Sequence, residues 1–188
     1  MSRNLLILLL GLAVTAAIVL GALAWRHFAG PAYSGPAIVE LGPDPDAAYR
    51  VIEAESPIRP SSGAMSIVAA NDSSGNQAMA VPAETEKDGG KADYGVEGLE
   101  PGRYRLWIRA FWQDGCGNSV GCAAGNKQIV FTDGIFDKWH WLTVPKQFDH
   151  TGGDFTFSLV RREDGIMVDQ ILLTSDAGFI PHGIVPGK

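Results

Sequence analysis

Twenty consecutive residues near the N-terminus, 5–24, contain no charged side chain and one hydroxyl group, that of Thr15. An α-helix rises about 1.5 Å per residue, so this run would span roughly 30 Å, the thickness of a bilayer core. The run therefore predicts a transmembrane anchor over residues 1–28. A cleavable signal peptide is the alternative, with Arg3 as its positive region and residues 22–24 as its cleavage site. Its apolar core is usually no longer than about 15 residues, which favours the anchor.

Small residues recur at every fourth position of this run, at Ala13, Ala17 and Gly21. This spacing places them on one stripe of a helix and lets a second helix approach closely in lipid. We therefore predict that the stripe packs against another membrane helix. Alanine and glycine are common in membrane helices, so the spacing is also compatible with chance.

The remainder of the chain divides into a stalk, a β domain and a tail. Four prolines interrupt residues 29–48 and exclude a continuous helix, which predicts a semi-extended stalk. From residue 49 to residue 181, short segments of alternating polarity are separated by turn residues, which is typical of strands. The tail is predicted over residues 182–188.

Nine strands are predicted in the β domain, and no helical periodicity lies between them, which favours an antiparallel β-sandwich. They cover residues 49–54, 65–70, 77–81, 92–97, 103–112, 127–131, 138–144, 155–161 and 166–174. The alternation is clearest over 103–112. There, Tyr104, Leu106, Ile108 and Ala110 share one face, and Arg103, Arg105, Trp107 and Arg109 share the other.

The chain has two cysteines, Cys116 and Cys122, with two glycines between them. The pair could close a small disulfide loop in an oxidising compartment, and two unrelated buried thiols are the alternative. A disulfide would place the domain outside the cytoplasm. We therefore predict a single-pass protein of the cytoplasmic (inner) membrane, with its N-terminus inside and its β domain periplasmic or otherwise extracytoplasmic.

Several segments together resemble carbohydrate-binding modules of families 6 and 35, which have a jelly-roll or galactose-binding-like β-sandwich. The most specific are Glu-Ala-Glu at 53–55 and Val-Asp-Gln-Ile at 168–171; the others are 74–82, 92–97, 101–107, 115–119 and 139–141. The resemblance implies that Glu53, Glu55 and Asp169 bind a structural calcium ion. Calcium prefers oxygen ligands, which suits this set. The alternative is that a glutamate pairs with Arg161 or Arg162.

The same resemblance implies glycan binding through loop aromatics and an amide side chain. The candidates are Trp112, Asn118, Trp139 and Trp141. The residues themselves allow another interpretation. Tryptophans at alternate strand positions, as at 139 and 141, more often face a core, and an asparagine between turn residues often supports the turn.

Charge and motifs exclude two broad classes of function. The formal net charge of −6 gives no electrostatic basis for nucleic-acid binding. No nucleophile motif accompanies His140, and the sequence contains no phosphate-binding loop or zinc-ligand spacing. The sequence therefore predicts a protein that is not an enzyme.

Two functions remain. The favoured hypothesis is an accessory subunit of a larger membrane complex, such as a photosynthetic reaction-centre, respiratory or envelope assembly, which contacts other subunits and the lipid bilayer. It is favoured because glycan modules usually accompany a catalytic domain. The alternative is a membrane-tethered, lectin-like module that binds a glycan.

Overall fold

The computed structural model describes residues 49–124 and 127–187. The predicted anchor, with Ala13, Ala17 and Gly21, and the predicted stalk lie outside the described residues. Within the part that is described, no helix has both the length and the apolar character needed to span a membrane.

Eleven strands occur in the described residues, with a short 3₁₀ helix at Ser74–Asn76 before the fourth. They are β1 (Tyr49–Glu53), β2 (Ser62–Gly63), β3 (Ser66–Ala69), β4 (Gln77–Val81), β5 (Gly90–Leu99), β6 (Gly102–Trp112), β7 (Ser119–Ala124), β8 (Lys127–Thr132), β9 (His140–His150), β10 (Gly153–Arg161) and β11 (Ile166–Thr174).

The strands form two antiparallel sheets. Sheet A has the order β3-β4-β11-β6-β9, with β1 also paired to β11, and sheet B has the order β2-β5-β10-β7-β8. The two sheets bury one continuous apolar core between them. This confirms the predicted mainly β, antiparallel sandwich.

The core follows from the alternation along the strands, which β6 shows best. Leu106, Ile108 and Ala110 are buried in the core between the sheets, as the sequence predicts. Full burial of an aliphatic or aromatic side chain contributes about 1.5–3 kcal/mol. The largest completely buried side chain is Trp112, at the end of β6.

A second, smaller apolar cluster lies on the outer face of sheet A, beneath the C-terminal segment. Phe179 and Val185 are buried there against Tyr49, Trp107 and Leu172. Residues 175–187, which we call the C-terminal strap, thus cover part of this face.

The strap is also held by hydrogen bonds. Gln170 on β11 donates from Nε2 to the carbonyl oxygen of Val185 at 2.9 Å, and its Oε1 accepts from the Val185 N–H at 3.0 Å. The predicted tail is therefore held to the sheet through Val185, whereas its other described residues are exposed.

Candidate functional site

Three carboxylates converge beside the end of β1, as the resemblance implied. Glu53, Glu55 and Asp169 each place an oxygen within 4.8 Å of the other two. Asp169 reaches this position because it is the extra residue of a β-bulge, where β11 shifts its register against β6 between Val168 and Gln170. Bulges commonly redirect a side chain in this way.

Asp169 is completely buried and bound on both sides. Its Oδ1 accepts from the Ser74 N–H at 2.8 Å, and its Oδ2 accepts from Nη1 of Arg109 on β6. The second guanidinium nitrogen of Arg109, Nη2, donates to the carbonyl oxygen of Asp72 at 3.1 Å. The arginine therefore joins the acid cluster to the loop that precedes the 3₁₀ helix.

The two glutamates are less well satisfied. Glu53 Oε1 accepts from Gln170 Nε2 at 2.9 Å, whereas Glu53 Oε2 and Glu55 Oε2 are buried without a hydrogen-bond partner among the described residues. Burial raises the pKa of Glu55, and the charges of Glu53 and Asp169 raise it further. Burial also raises the pKa of Asp169, against the opposing effect of Arg109.

The cluster therefore has the donor set of a hard-cation site. Two orphaned carboxylate oxygens lie beside a third carboxylate, so a cation would relieve both the missing partners and the repulsion. Neither Arg161 nor Arg162, the arginines predicted as alternative partners, pairs with the glutamates. Arg161 instead lies 3.6 Å from Asp164.

A second site lies at one end of the sandwich, where loops 82–89, 113–118, 133–139 and 162–165 meet. We call its cavity the loop-edge pocket. It has a volume of about 300 Å³ and is lined by Ala83, Glu84, Gln113, Asp114, Cys116, Gly117, Asp164 and Gly165.

Trp112 and Asn118 support this end of the molecule but do not line the pocket. Trp112 Nε1 donates to Asp133 Oδ1 at 3.0 Å, and Asn118 Nδ2 donates to the Asp133 carbonyl oxygen at 3.0 Å. Trp112 is fully buried, so it cannot act as an exposed stacking platform. The predicted glycan role of Trp112 is therefore wrong, and Asn118 has the turn-supporting role that its neighbours indicated.

Gly117 allows the 113–118 loop to pack closely against the 162–165 loop. A Cβ atom at this position would overlap the carbonyl oxygen of Asp164. Asp114 Oδ1 accepts from the N–H groups of Cys116 and Gly117, at 2.8 and 3.3 Å, which fixes the 113–118 loop. A larger residue at 117 would push the loops apart.

Trp139 and Trp141 lie elsewhere, on the outer face of sheet A. Both are partly exposed and line a groove of about 310 Å³ with Trp107, Arg109 and the strap. The expectation that tryptophans at these positions face the core is wrong. Leu142, the residue after Trp141, is instead buried in the core, and Phe148 further along β9 packs against the core.

The predicted Cys116–Cys122 disulfide is not formed in the structure, where both cysteines are free. Cys122 lies on β7 with its side chain buried in the core, whereas Cys116 lies in the exposed part of the 113–118 loop. Burial raises the pKa of the Cys122 thiol to about 12. The two side chains thus have different surroundings, and the inferred oxidising location loses this support.

Sequence reasoning missed Arg109 and the polar residues of the loop-edge pocket. Arg109 was assigned only to the outward face of its strand. The one sequence feature that could indicate a buried role for Arg109 is its position between Ile108 and Ala110 in the most regular strand of the chain. Gln113 and Asp114 carry no such signal, because polar residues are ordinary in loops.

Comparison with solved structures finds the same fold in carbohydrate-binding modules. The C-terminal CBM6 of a marine laminarinase from Zobellia galactanivorans matches with a TM-score of 0.52 and 16% identity, over 67% of this chain and 98% of that one. A Cellvibrio mixtus lichenase module in complex with cellotriose matches with a TM-score of 0.52 and 17% identity, over 67% and 96%.

A Podospora anserina β-(1,4)-mannanase containing a CBM35 matches with a TM-score of 0.50 and 21% identity, over 74% of this chain and 30% of that one. No protein-family model matches the chain, and no curated protein matches its sequence. The likeness therefore concerns the fold. The described domain has the β-sandwich fold that these carbohydrate-binding modules have.

Proposed function

We propose that the β domain is a non-catalytic module that binds a glycan in the loop-edge pocket. The observation that carries this proposal is a pocket with polar side chains, lined by the 82–89, 113–118 and 162–165 loops, on a sandwich that has the fold of carbohydrate-binding modules. This favours the lectin-like alternative over the complex-subunit hypothesis. No contact among the described residues favours the subunit role, which stays a prediction.

The chemistry of the pocket suits sugar hydroxyl groups. Gln113 offers an amide donor and acceptor, and the second carboxylate oxygen of Asp114 has no partner among the described residues. Phe136, 37% exposed, lies beside this loop, with its ring 4.0 Å from the Cβ position of Gly115. Phe136 does not line the pocket itself; its exposed ring would extend the binding surface beside the polar groups.

Calcium is the second part of the proposal. Glu53, Glu55 and Asp169 would hold the ion, which would supply positive charge to the buried carboxylates and stabilise the domain. Two orphaned glutamate oxygens support this assignment. Arg109 would remain on Asp169 and keep the bulge in place.

Titration calorimetry with laminaritriose, mannotriose and cellotriose tests the proposal. We expect at least one trisaccharide to bind, and Gln113→Ala or Phe136→Ala to weaken the binding at least tenfold, as is usual for a central binding residue. Gln128→Ala, an exposed glutamine on β8, is the matched control and should bind as the unmodified chain does. Absence of binding to all three sugars, or full affinity in Gln113→Ala, would overturn the proposal.

Membrane attachment is a separate proposal. We propose that residues 5–24 tether the module to the inner membrane with the β domain on the periplasmic or other extracytoplasmic side. The support is the length of the uncharged run. Carbonate extraction should leave the protein in the membrane, and a mature N-terminus at Trp25 would contradict the anchor.

A further inference from the structure

The loop-edge pocket is lined by acidic side chains. Glu84, Asp114 and Asp164 carry negative charge there, and none of the described residues that line the pocket is a lysine, an arginine or a histidine. We propose that the glycan held in this pocket is an amino sugar with a free, protonated amine, such as a glucosamine polymer. This inference rests on the proposed glycan-binding function and adds the class of sugar.

Two of these carboxylates are not compensated by a cation. Asp164 has a partner, because its Oδ1 lies 3.6 Å from Arg161 Nη2. Neither Glu84 nor Asp114 forms an ion pair within the part of the chain that the structure describes. The pocket therefore keeps an excess of negative charge, which attracts a cationic sugar and repels an acidic one.

Asp114 is already held in position. Its Oδ1 accepts from the N–H groups of Cys116 and Gly117, at 2.8 and 3.3 Å, and its other oxygen stays available to a ligand. A carboxylate fixed in this way loses little side-chain entropy when it binds. An ammonium group would give it a charge-assisted hydrogen bond, which is stronger than the bond that a hydroxyl group would donate.

Gln113 supplies a neutral contact in the same pocket. Its Oε1 lies 3.6 Å from the Cβ position of Gly165, another lining residue. The amide can both donate to and accept from hydroxyl groups. An amino sugar has hydroxyl groups for Gln113 and ammonium groups for the carboxylates, so it matches both parts of the lining.

The spacing of the acids favours a sugar chain over a single metal ion. Among the described residues, Glu53, Glu55 and Asp169 are the one set of three whose ligand atoms lie within 4.8 Å of one another. The acids of the loop-edge pocket are instead spread around a cavity of about 300 Å³. Dispersed negative charge suits a ligand that carries one positive charge on each ring.

Another cavity of the domain has a different charge. On the outer face of sheet B, Arg59 and Lys91 line a cavity around Asp93 and both pair with it, at 3.5 and 2.8 Å. The acid there is compensated by two cations. Uncompensated acid is therefore a property of the loop-edge pocket and does not follow simply from the net charge of the chain.

The test compares two trisaccharides that differ in one group on each ring. The β-1,4-linked glucosamine trimer has an amine where cellotriose has a hydroxyl group. Calorimetry of the full chain, in a non-ionic detergent without a sugar head group, would be done at about pH 5.5, where carboxylates are ionised and amines protonated. We expect the glucosamine trimer to bind about tenfold more tightly, as a charged hydrogen bond allows. In about 1 M salt, which screens charges beyond about 3 Å, this preference should largely disappear.

A matched pair of variants locates the preference. Glu84→Gln removes one charge from the pocket at constant size, and it should remove most of the preference. Glu97→Gln is the control, because Glu97 is also exposed but lies on β5 at the end away from the 82–89 loop. Both variants change the net charge equally, and Glu97→Gln should keep the full preference.

The outcomes separate this inference from the proposed function. Affinities of the two trimers within about twofold of each other would overturn the amino sugar and leave the pocket as a glycan site. Equal loss of preference in Glu84→Gln and Glu97→Gln would also overturn it, since the attraction would then come from net charge. So would tighter binding of the N-acetylated trimer, which is neutral. If the glucosamine trimer does not bind, the inference is wrong, and the neutral trisaccharides decide separately whether the pocket binds a glycan.

Discussion

Arg109 and Asp169 form an ion pair on neighbouring strands, with the two side chains 8% and 0% exposed. The guanidinium group compensates one of three clustered carboxylates, so the cluster keeps an excess of negative charge when all three are ionised. This pair links the candidate calcium site to the groove lined by Trp139 and Trp141, because Arg109 also lies against Trp139.

Asp169→Asn should lower the free energy of unfolding by about 3 kcal/mol, since it removes one partner of a buried ion pair. Asp149→Asn is the matched control. Asp149 pairs with Arg103, but their side chains are 86% and 69% exposed, and such pairs contribute little. Urea unfolding of both variants measures the difference. Equal stability of the two variants would show that the Arg109–Asp169 pair does not hold the bulge.

Calcium should stabilise the folded domain. Binding to the folded state alone adds about 2.7 kcal/mol at a hundredfold excess of free ion over Kd. Chelation should therefore lower the melting temperature, and added calcium should restore it. An identical melting curve in chelator and in calcium, with no metal found by elemental analysis, would contradict the site.

In the presence of a chelator, the free energy of unfolding should fall as the pH rises above 4.5, which is the ordinary pKa of Glu55. The raised pKa of Glu55 means that the folded protein binds this proton more tightly than the unfolded chain does, so raising the pH favours unfolding. The pKa of Asp93 is lowered, mainly by its hydrogen bond with Lys91. Its titration therefore changes the stability only below pH 3.8, outside the range of this experiment. Calcium should flatten this dependence, which thermal melts from pH 4.5 to 7.5 would measure.

Gly117→Ala should disturb the loop-edge pocket, because the added methyl group would overlap the Asp164 carbonyl oxygen. We expect a lower melting temperature and loss of trisaccharide binding at this pocket. Gly134→Ala, in the neighbouring 133–139 loop, is the control, since nothing lies within 4 Å of its Cβ position. Full sugar affinity in Gly117→Ala would show that the loops can separate without harm to the site.

One thiol should react in the native protein. Cys116 is exposed and should be modified by a maleimide, whereas Cys122 is buried with a pKa of about 12 and should react only after unfolding. Mass spectrometry of native and denatured samples counts the modified sites. No reaction in either sample, reversed by a reducing agent, would restore the predicted disulfide.

Local patterns predict the bounds of some strands well, including two that are buried along most of their length. β4 and β11 have the predicted bounds. β7 was missed because Gly121 interrupts its apolar residues. In the folded sheet that glycine fits closely, with its Cβ position 3.2 Å from the Val160 carbonyl oxygen. The predicted strand 138–144 stops before Pro145, whereas β9 continues to His150, because β9 is an edge strand, where proline is tolerated.

The candidate sites were less predictable because they depend on contacts between distant parts of the chain. The acid set came from the resemblance, but the bulge at Asp169 and its pairing with Arg109 have no local signature. Trp139 and Trp141 point outward because Leu142 is the residue of this segment that faces the core. The groove that they line is completed by the strap, which is distant in sequence. Residues 182–187 contain two glycines and a proline beside two aliphatic side chains, a composition without strand or helix periodicity, so the sequence does not predict their packing.

The pairing of β1 with β11 has a mechanical consequence. Tyr49 lies opposite Thr174, and the four register pairs that follow carry the chain into the domain. Any pull transmitted through the preceding chain would load these pairs first and then reach Glu53. An ion shared by Glu53, Glu55 and Asp169 would clamp the first strand to the body of the sandwich. The acid cluster would then set how much tension the module sustains while it holds a polymer.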